Sequence, residues 1–191
     1  MADLTLNPDS TALVLIDLQK GIVSRDVAPH SSSEVVDNAA KLVHKCHDKG
    51  VAVILVRVSF AKDGRDRLSP KAEVEWSGQQ IPKDFDQLVP EISPDKADHI
   101  ITKRQWGAFY GTDLDLQLRR RGIDTLLMGG ISTNIGVEST ARNAYERGYN
   151  QVLVEDAMSS MSADAHEFAI SNIFPRIGLI RSTSEVLKVL N

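Results

Sequence analysis

The run Asp124-Thr125-Leu126-Leu127-Met128-Gly129-Gly130-Ile131-Ser132-Thr133-Asn134-Ile135-Gly136-Val137-Glu138-Ser139-Thr140 decides the fold. It begins as a mainly apolar strand, reaches a glycine turn and leads into a helix to about Gly148. A strand that ends in such a turn and opens a helix aims several backbone N–H groups at one point, where negative charge is stabilised. Two other strands end in a matching way. Leu13-Val14-Leu15-Ile16-Asp17 stops at a carboxylate, and His99-Ile100-Ile101-Thr102-Lys103 stops at an amine. An acid, a cation and a hydrogen-bonding turn at three strand ends read as an active site.

Outward from that run, strands and helices alternate. The first strand is predicted over about Thr11 to Ile16, followed by a helix from Ser33 that stops at Lys49-Gly50, a basic residue before a glycine. Val51 to Val58 is a nearly continuous β-branched run, as in a strand buried on both faces. A third strand is expected over His99 to Thr102, then a helix from an N-cap at Thr112 through Arg121. Thr125 to Met128 is the fourth strand and Gln151 to Val154 the fifth. A helix from about Ala163 to Phe174, a short strand from Gly178 to Arg181 and a helix from Thr183 complete the pattern. This repetition implies an α/β protein in three α-β-α layers. Its sheet is doubly wound, mainly parallel and about six-stranded, with right-handed crossovers. Ligands of such sheets bind beyond the strand C-termini, near the switch in strand order. Asp17, Lys103 and the Gly130–Gly136 turn should meet there. Ser59 to Ala97, with Pro70, Pro82, Pro90 and Pro94, is the least regular region. Its length points to a lid or wall over the pocket. Within it Trp76 is either a substrate contact or a packing residue.

Composition sets outer bounds. The 191 residues, 42% hydrophobic and 25% charged with a net charge of −4, suit one domain with one sizeable core. The densest basic cluster, Arg119-Arg120-Arg121, ends a helix where cations offset the dipole, so no nucleic-acid partner is predicted. No apolar run nears the roughly 20 residues of a membrane span. Met1-Ala2-Asp3-Leu4 lacks the layout of a signal peptide, and one cysteine excludes an intrachain disulfide. A cytoplasmic location is expected. No His or Cys grouping has metal-ligand spacing, so neither metal nor cofactor is predicted. Asp98-His99 reads as a strand entry. Gly136 is followed by Val137-Glu138, not Lys-Ser/Thr, which argues against a phosphate loop.

The three strand ends, in this order, resemble those of the isochorismatase-like (cysteine hydrolase) family. Its pattern is an apolar strand ending in Asp, then a Lys followed by a Ser-Ala-Phe-like segment. A strand and a turn such as Gly-Val-Ala-Thr-Asp-x-Cys-Val-x-x-Thr-Ala close it. Here the middle segment is Lys103-Arg104-Gln105-Trp106-Gly107-Ala108-Phe109, with Gly107 where Ser is commoner. This segment and Gly130-Ile131-Ser132-Thr133-Asn134-Ile135-Gly136 are similar to those of a YecD-like group of uncharacterised members. The whole chain fits the family's single domain, residues 1–191.

The resemblance implies that Asp17 and Lys103 are catalytic and that Lys103 is the partner of the Asp17 carboxylate. It also implies a cis Ile131–Ser132 peptide that turns the Ser132 N–H toward that of Gly136, as an oxyanion-hole-like pair. Gln105 and Trp106 then join Ser132 and Asn134 as substrate-binding candidates. Gln19 either orients groups near the site or caps the loop. Thr133 or Asn134 should cap the helix; Asn134 stands where Asp is common. One departure decides the chemistry: Gly136 occupies the position of the family's nucleophilic cysteine. The only cysteine, Cys46, recurs with Val35, Ala39 and Leu42 on one helical face and reads as a core residue. The acyl-enzyme route therefore lacks its nucleophile.

Isochorismatases proper also carry a glycine there, which implies hydrolysis of an enol (vinyl) ether. Asp17 would protonate the vinyl carbon and water would attack the resulting oxocarbenium. The segment after Lys103 differs from theirs, so another small carboxylated substrate is expected. The nicotinamidase Asp-x-His metal ligands are absent from Ser59 to Arg65. Two alternatives stand beside this reading: a degenerate member that binds a small molecule as an oligomer, and a water-dependent amidase. Family members are commonly dimers or tetramers, so a homodimer or homotetramer is the expected assembly.

Overall fold

Strand β1, Thr11–Ile16, is buried along its whole length. Successive side chains of a strand point to opposite faces, so Leu13 and Leu15 enter one apolar cluster while Ala12, Val14 and Ile16 enter another. A strand apolar on both faces must be covered on both sides. The computed structural model, which describes residues 4–74, 81–92 and 94–190, shows that it is. Six parallel strands stand in the order β3-β2-β1-β4-β5-β6. They comprise β2 (Ala52–Val58), β3 (His99–Lys103), β4 (Thr125–Ile131), β5 (Asn150–Ser159) and β6 (Leu179–Arg181). The switch in strand order falls between β1 and β4, where a crevice opens at the C-terminal end of the sheet.

Helix α1 is a single turn, Lys20–Val23, and α2 covers Ser32–Lys49. Ser31 caps α2 by accepting from the Glu34 N–H, and Glu34 reaches back to the Ser31 N–H. Gly50, at φ 72°, stops the helix in the left-handed conformation that glycine adopts without steric cost. Such a cap contributes about 1 kcal/mol, less than the burial of Val35, Ala39, Leu42, Val43 and Cys46 on one face. This face and α6 (Thr183–Val189) cover one side of the sheet. On the other side lie Leu114 and Leu118 of α3 (Leu114–Arg120), with Ala141 and Ala144 of α4 (Glu138–Glu146). Helix α5, Ala163–Phe168, continues as a wide π turn and a tight turn to Arg176. Among the described residues no helix is long and apolar enough to cross a membrane.

Three local expectations are corrected. The N-cap position of α3 is Asp113, not Thr112; the Thr112 hydroxyl instead accepts from the Leu114 N–H and donates to Ala108 O. Strand β4 does not turn at Gly129-Gly130 but continues through them to Ile131. A Cβ at Gly129 would lie 2.6 Å from Ala157 O, and one at Gly130 would collide with Ile16 O, so these glycines serve close backbone approach. Strand β5 runs past Val154 to Ser159 because it bulges. Between the pairs Met128–Leu153 and Gly130–Met158, β4 advances by two residues and β5 by five.

Within the long connection, Phe85, Leu88, Val89 and Ile92 are buried, and Leu88 bridges Gln19. Residues 81–92 are thus a wall packed on the core. Trp76 lies outside the described residues.

Candidate active site

Beyond Ile16 the chain turns sharply. Asp17 adopts φ 53°, a left-handed conformation that Asp tolerates better than most residues. Its N–H donates to Val56 O and its carbonyl accepts from the Gln19 N–H, so backbone bonds hold the turn on both sides. The carboxyl group is left beside Lys103 and Gly136. It is only 5% exposed, and Lys103, at the end of β3, is 2% exposed. Lys103 Nζ donates to Asp17 Oδ2 at 2.7 Å and to Gln105 O at 3.0 Å. Asp17 Oδ1 is buried without a hydrogen-bond partner.

Two forces compete at this carboxyl. Burial pushes its pKa above the ordinary carboxylate range, and the attraction of Lys103 only partly opposes this. A lysine partner in an open site would hold the acid ionised until a substrate desolvated the pair. In the structure the fold has already desolvated it, and burial prevails.

Gly136 completes the convergence. A Cβ there would stand 3.0 Å from Ile16 Cγ2, 3.2 Å from Asp17 Oδ2 and 3.6 Å from Trp106 O. A side chain at position 136 would therefore touch the carboxyl oxygen that Lys103 holds, in a space that admits a Cβ only if its neighbours shift slightly. The Ile131–Ser132 peptide is cis, and Thr133–Val137 forms a π turn leading into α4. Thr140 ties this turn to the Lys103 segment: its hydroxyl donates to Gly136 O at 2.7 Å and accepts from the Ala108 N–H at 3.2 Å.

The remaining candidates divide. Ser132 is buried with an unpartnered hydroxyl. Trp106 is exposed and, with Gln105, Gly107, Tyr110, Leu68, Ser139 and Asn143, lines a cavity of about 430 Å³. Gln105 donates to Gly107 O and Tyr110 O and so shapes the rim. Gln19 is buried with its amide committed to backbone: it donates to Val58 O and Phe85 O and accepts from the Val58 N–H. It builds the wall.

Neither Thr133 nor Asn134 caps the helix. The π turn begins at Ser132 with no side-chain cap. Thr133 is instead hydrogen-bonded to His166 Nδ1 at 2.8 Å, and Asn134 Oδ1 accepts from Ser160 Oγ at 2.6 Å. Tertiary partners replace the local ones, because the bulged end of β5 passes directly beside the turn.

Asp98 accepts from the Val53 N–H and His99 contacts Asp113, consistent with a strand entry. Cys46 is fully buried and its thiol is pushed up to about 12 by burial, so it offers no thiolate. His166 is held down to about 4, mainly by burial and then by His30, and is therefore neutral at pH 7. A larger depression of about 820 Å³ lies between α2 and α6, away from this chemistry.

An isochorismatase domain matches residues 11–185. The chain belongs to the isochorismatase family. It is 52% identical over 188 residues to the uncharacterized isochorismatase family protein YwoC of Bacillus subtilis (strain 168), covering 96% of this chain and 97% of YwoC. It is 49% identical over 187 residues to the uncharacterized isochorismatase family protein YecD of Escherichia coli O157:H7, covering 98% of this chain and 100% of YecD. A solved isochorismatase family protein from Burkholderia thailandensis matches with a TM-score of 0.92 at 45% identity, covering 97% of each chain. Family membership makes this chain a hydrolase.

Proposed function

We propose that this hydrolase cleaves the enol ether bond of a small carboxylated substrate, with Asp17 as general acid and water as nucleophile. One observation supports the reading: a buried carboxyl group with a raised pKa and an unpartnered oxygen lies beside Gly136, which the family resemblance sets where other members carry a cysteine. Burial raises the pKa of this carboxyl group above the ordinary carboxylate value, the direction that general-acid catalysis requires.

Lys103 donates to Oδ2, the oxygen nearest the Cβ position of Gly136, and the unpartnered Oδ1 is left to carry the proton. The acid gives it to the terminal carbon of the vinyl ether, producing an oxocarbenium ion at the ether carbon. Water adds to that carbon and returns a proton to Asp17. The hemiketal then collapses to an alcohol and a keto acid, which is pyruvate when the ether carries an enolpyruvyl group. No covalent enzyme intermediate is formed, so no thiol is required. Lys103 has two parts here: it anchors one carboxyl oxygen, and its charge balances the carboxylate left after proton donation. The backbone N–H groups of Ser132 and Gly136 would receive negative charge on the substrate.

The test is a panel of enolpyruvyl ethers and small amides, with released keto acid or ammonia measured. Pyruvate from at least one ether is expected, and Asp17→Asn should lower kcat/KM by about 10²–10⁴-fold. Unchanged turnover in Asp17→Asn would remove the acid from the mechanism. Amide turnover without ether turnover would instead favour the water-dependent amidase. No turnover of either class, with a ligand carried through purification, would favour the binding protein.

A further inference from the structure

On the far side of the turn after β4 from Asp17, the fold gathers three residues that no local spacing connects: His30, Glu155 and His166. One ligand atom from each lies within 4.8 Å of the others. His30 Nε2 stands 3.1 Å from Glu155 Oε1, and the two imidazole rings meet edge to face at 5.6 Å. We propose that these three side chains form a binding site for one divalent first-row metal ion of the zinc type.

The chemistry of the donors supports the choice. Two imidazoles and one carboxylate are a zinc-type set that leaves a fourth, solvent-facing position. His166 is 2% exposed and its Nδ1 is fixed by Thr133, so Nε2 is the nitrogen left to bind an ion. A hydrogen bond on the second ring nitrogen is what orients ligating histidines in general. The side chains of His30 and Glu155 are 27% and 35% exposed, which gives an ion a path from solvent.

Each ligand also sits on a defined backbone. His30 follows the cis Ala28–Pro29 bond, and Ala28 pairs with Ser160 through two backbone hydrogen bonds of 2.8 and 3.1 Å. Glu155 lies in the bulge of β5, and His166 lies in α5, which Ser162 caps. The neighbouring carboxylate, Asp156, is occupied by the N–H and hydroxyl of Thr183 and is not a competing ligand. Metal–ligand distances near 2.0–2.1 Å place tetrahedral donors about 3.4 Å apart, so the widest pair must close by up to about 1.4 Å. The part-exposed His30 and Glu155 can make that adjustment by side-chain rotation.

The test uses the full, tag-free chain, stripped with a chelator and titrated with zinc by calorimetry. Cobalt substitution, read by its visible absorption, reports the ligand set independently of catalysis. One zinc ion per chain is expected. His30→Ala and Glu155→Gln should each weaken it by more than about 100-fold, and Thr133→Val by about tenfold. His44→Ala, which removes the exposed His44–Asp48 pair, should leave binding unchanged. Binding unaffected by His30→Ala and Glu155→Gln, or lost in His44→Ala, would overturn the assignment. So would the absence of stoichiometric zinc. Circular dichroism of each variant separates loss of the site from loss of the fold.

Discussion

Two groups of ionisable side chains flank the turn that follows β4, and they are built in opposite ways. Asp17 and Lys103 are sealed at 5% and 2% exposure, and their 2.7 Å contact replaces water for both. Glu155 and His30 keep about a third of their side chains in solvent, with only His166 enclosed. Thr133 touches the second group and Gly136 the first, both within one π turn. On the proposed readings, the closed pair uses desolvation to tune a proton and the open group uses access to accept a ligand. One turn serves both because its backbone is gripped from each side, by Thr140 through Gly136 O and by Ser160 through Asn134.

The largest effect should come from breaking the closed pair. Lys103→Met leaves a buried carboxylate without its counter-charge, a loss of about 3–5 kcal/mol measurable by urea unfolding at pH 8. The sign of its pH dependence follows from the raised Asp17 pKa. A raised carboxyl contributes stability that is fully present below its unfolded pKa near 3.8 and is lost as pH rises through the folded value. Removing Lys103 takes away the groups that lower the folded value and moves it higher still. The deficit of Lys103→Met should therefore grow with rising pH and shrink as pH falls toward 3.8. A deficit independent of pH would mean that Asp17 is not the group left behind. For Asp17 as the proposed general acid, kcat/KM should fall as pH rises through the Asp17 pKa, and Asp17→Asn should lose that limb.

The contrast also shows what a sequence discloses. Asp17, Lys103 and Gly136 were legible because each ends a strand or follows one. Parallel topology carries strand C-termini to one edge whatever lies between them. Cys46 was legible as core because helical periodicity is local. His30, Glu155 and His166 left no signal. His30 stands 125 positions from Glu155 along the chain. The group meets only through a bulge in β5 and the bridge between Ala28 and Ser160. The same bulge explains the shortened predictions for β4 and β5. Gly129 and Gly130 look like a turn, yet their missing side chains admit Ala157 and Ile16 backbone at distances no Cβ would allow. Thr133 and Asn134 were assigned as caps by a local rule, and nearby tertiary partners outcompeted it.

A second, smaller effect probes the closed side from Gly136. Gly136→Cys adds a Cβ at 3.0 Å from Ile16 Cγ2 and 3.2 Å from Asp17 Oδ2, tight enough that both must shift by a few tenths of an ångström. Overpacking of this kind costs about 1–3 kcal/mol, below the loss expected for Lys103→Met. Alkylation then distinguishes the two thiols. The thiol introduced by Gly136→Cys borders the crevice and should react with iodoacetamide in the native state. Cys46, whose thiol is pushed up to about 12, should react only on unfolding. Native labelling of Cys46 in the parent chain would contradict the sealed core described for α2.

The smallest effect should come from the open side. Glu155→Gln in chelator removes the charge of a pair that water already screens, for which the expected loss is below about 1 kcal/mol. The glutamine oxygen can still accept from the His30 ring, and no buried ion is stranded because both partners reach solvent. The unfolding free energies of parent and Glu155→Gln should thus nearly coincide without metal. They should separate when zinc is added, because an ion that binds only the folded parent stabilises it by mass action. Equal stabilisation of both chains by zinc would place the ion elsewhere. A chelator-independent loss as large as that of Lys103→Met would mean that this group, too, is a closed structural pair, and the contrast between the two sides of the turn would vanish.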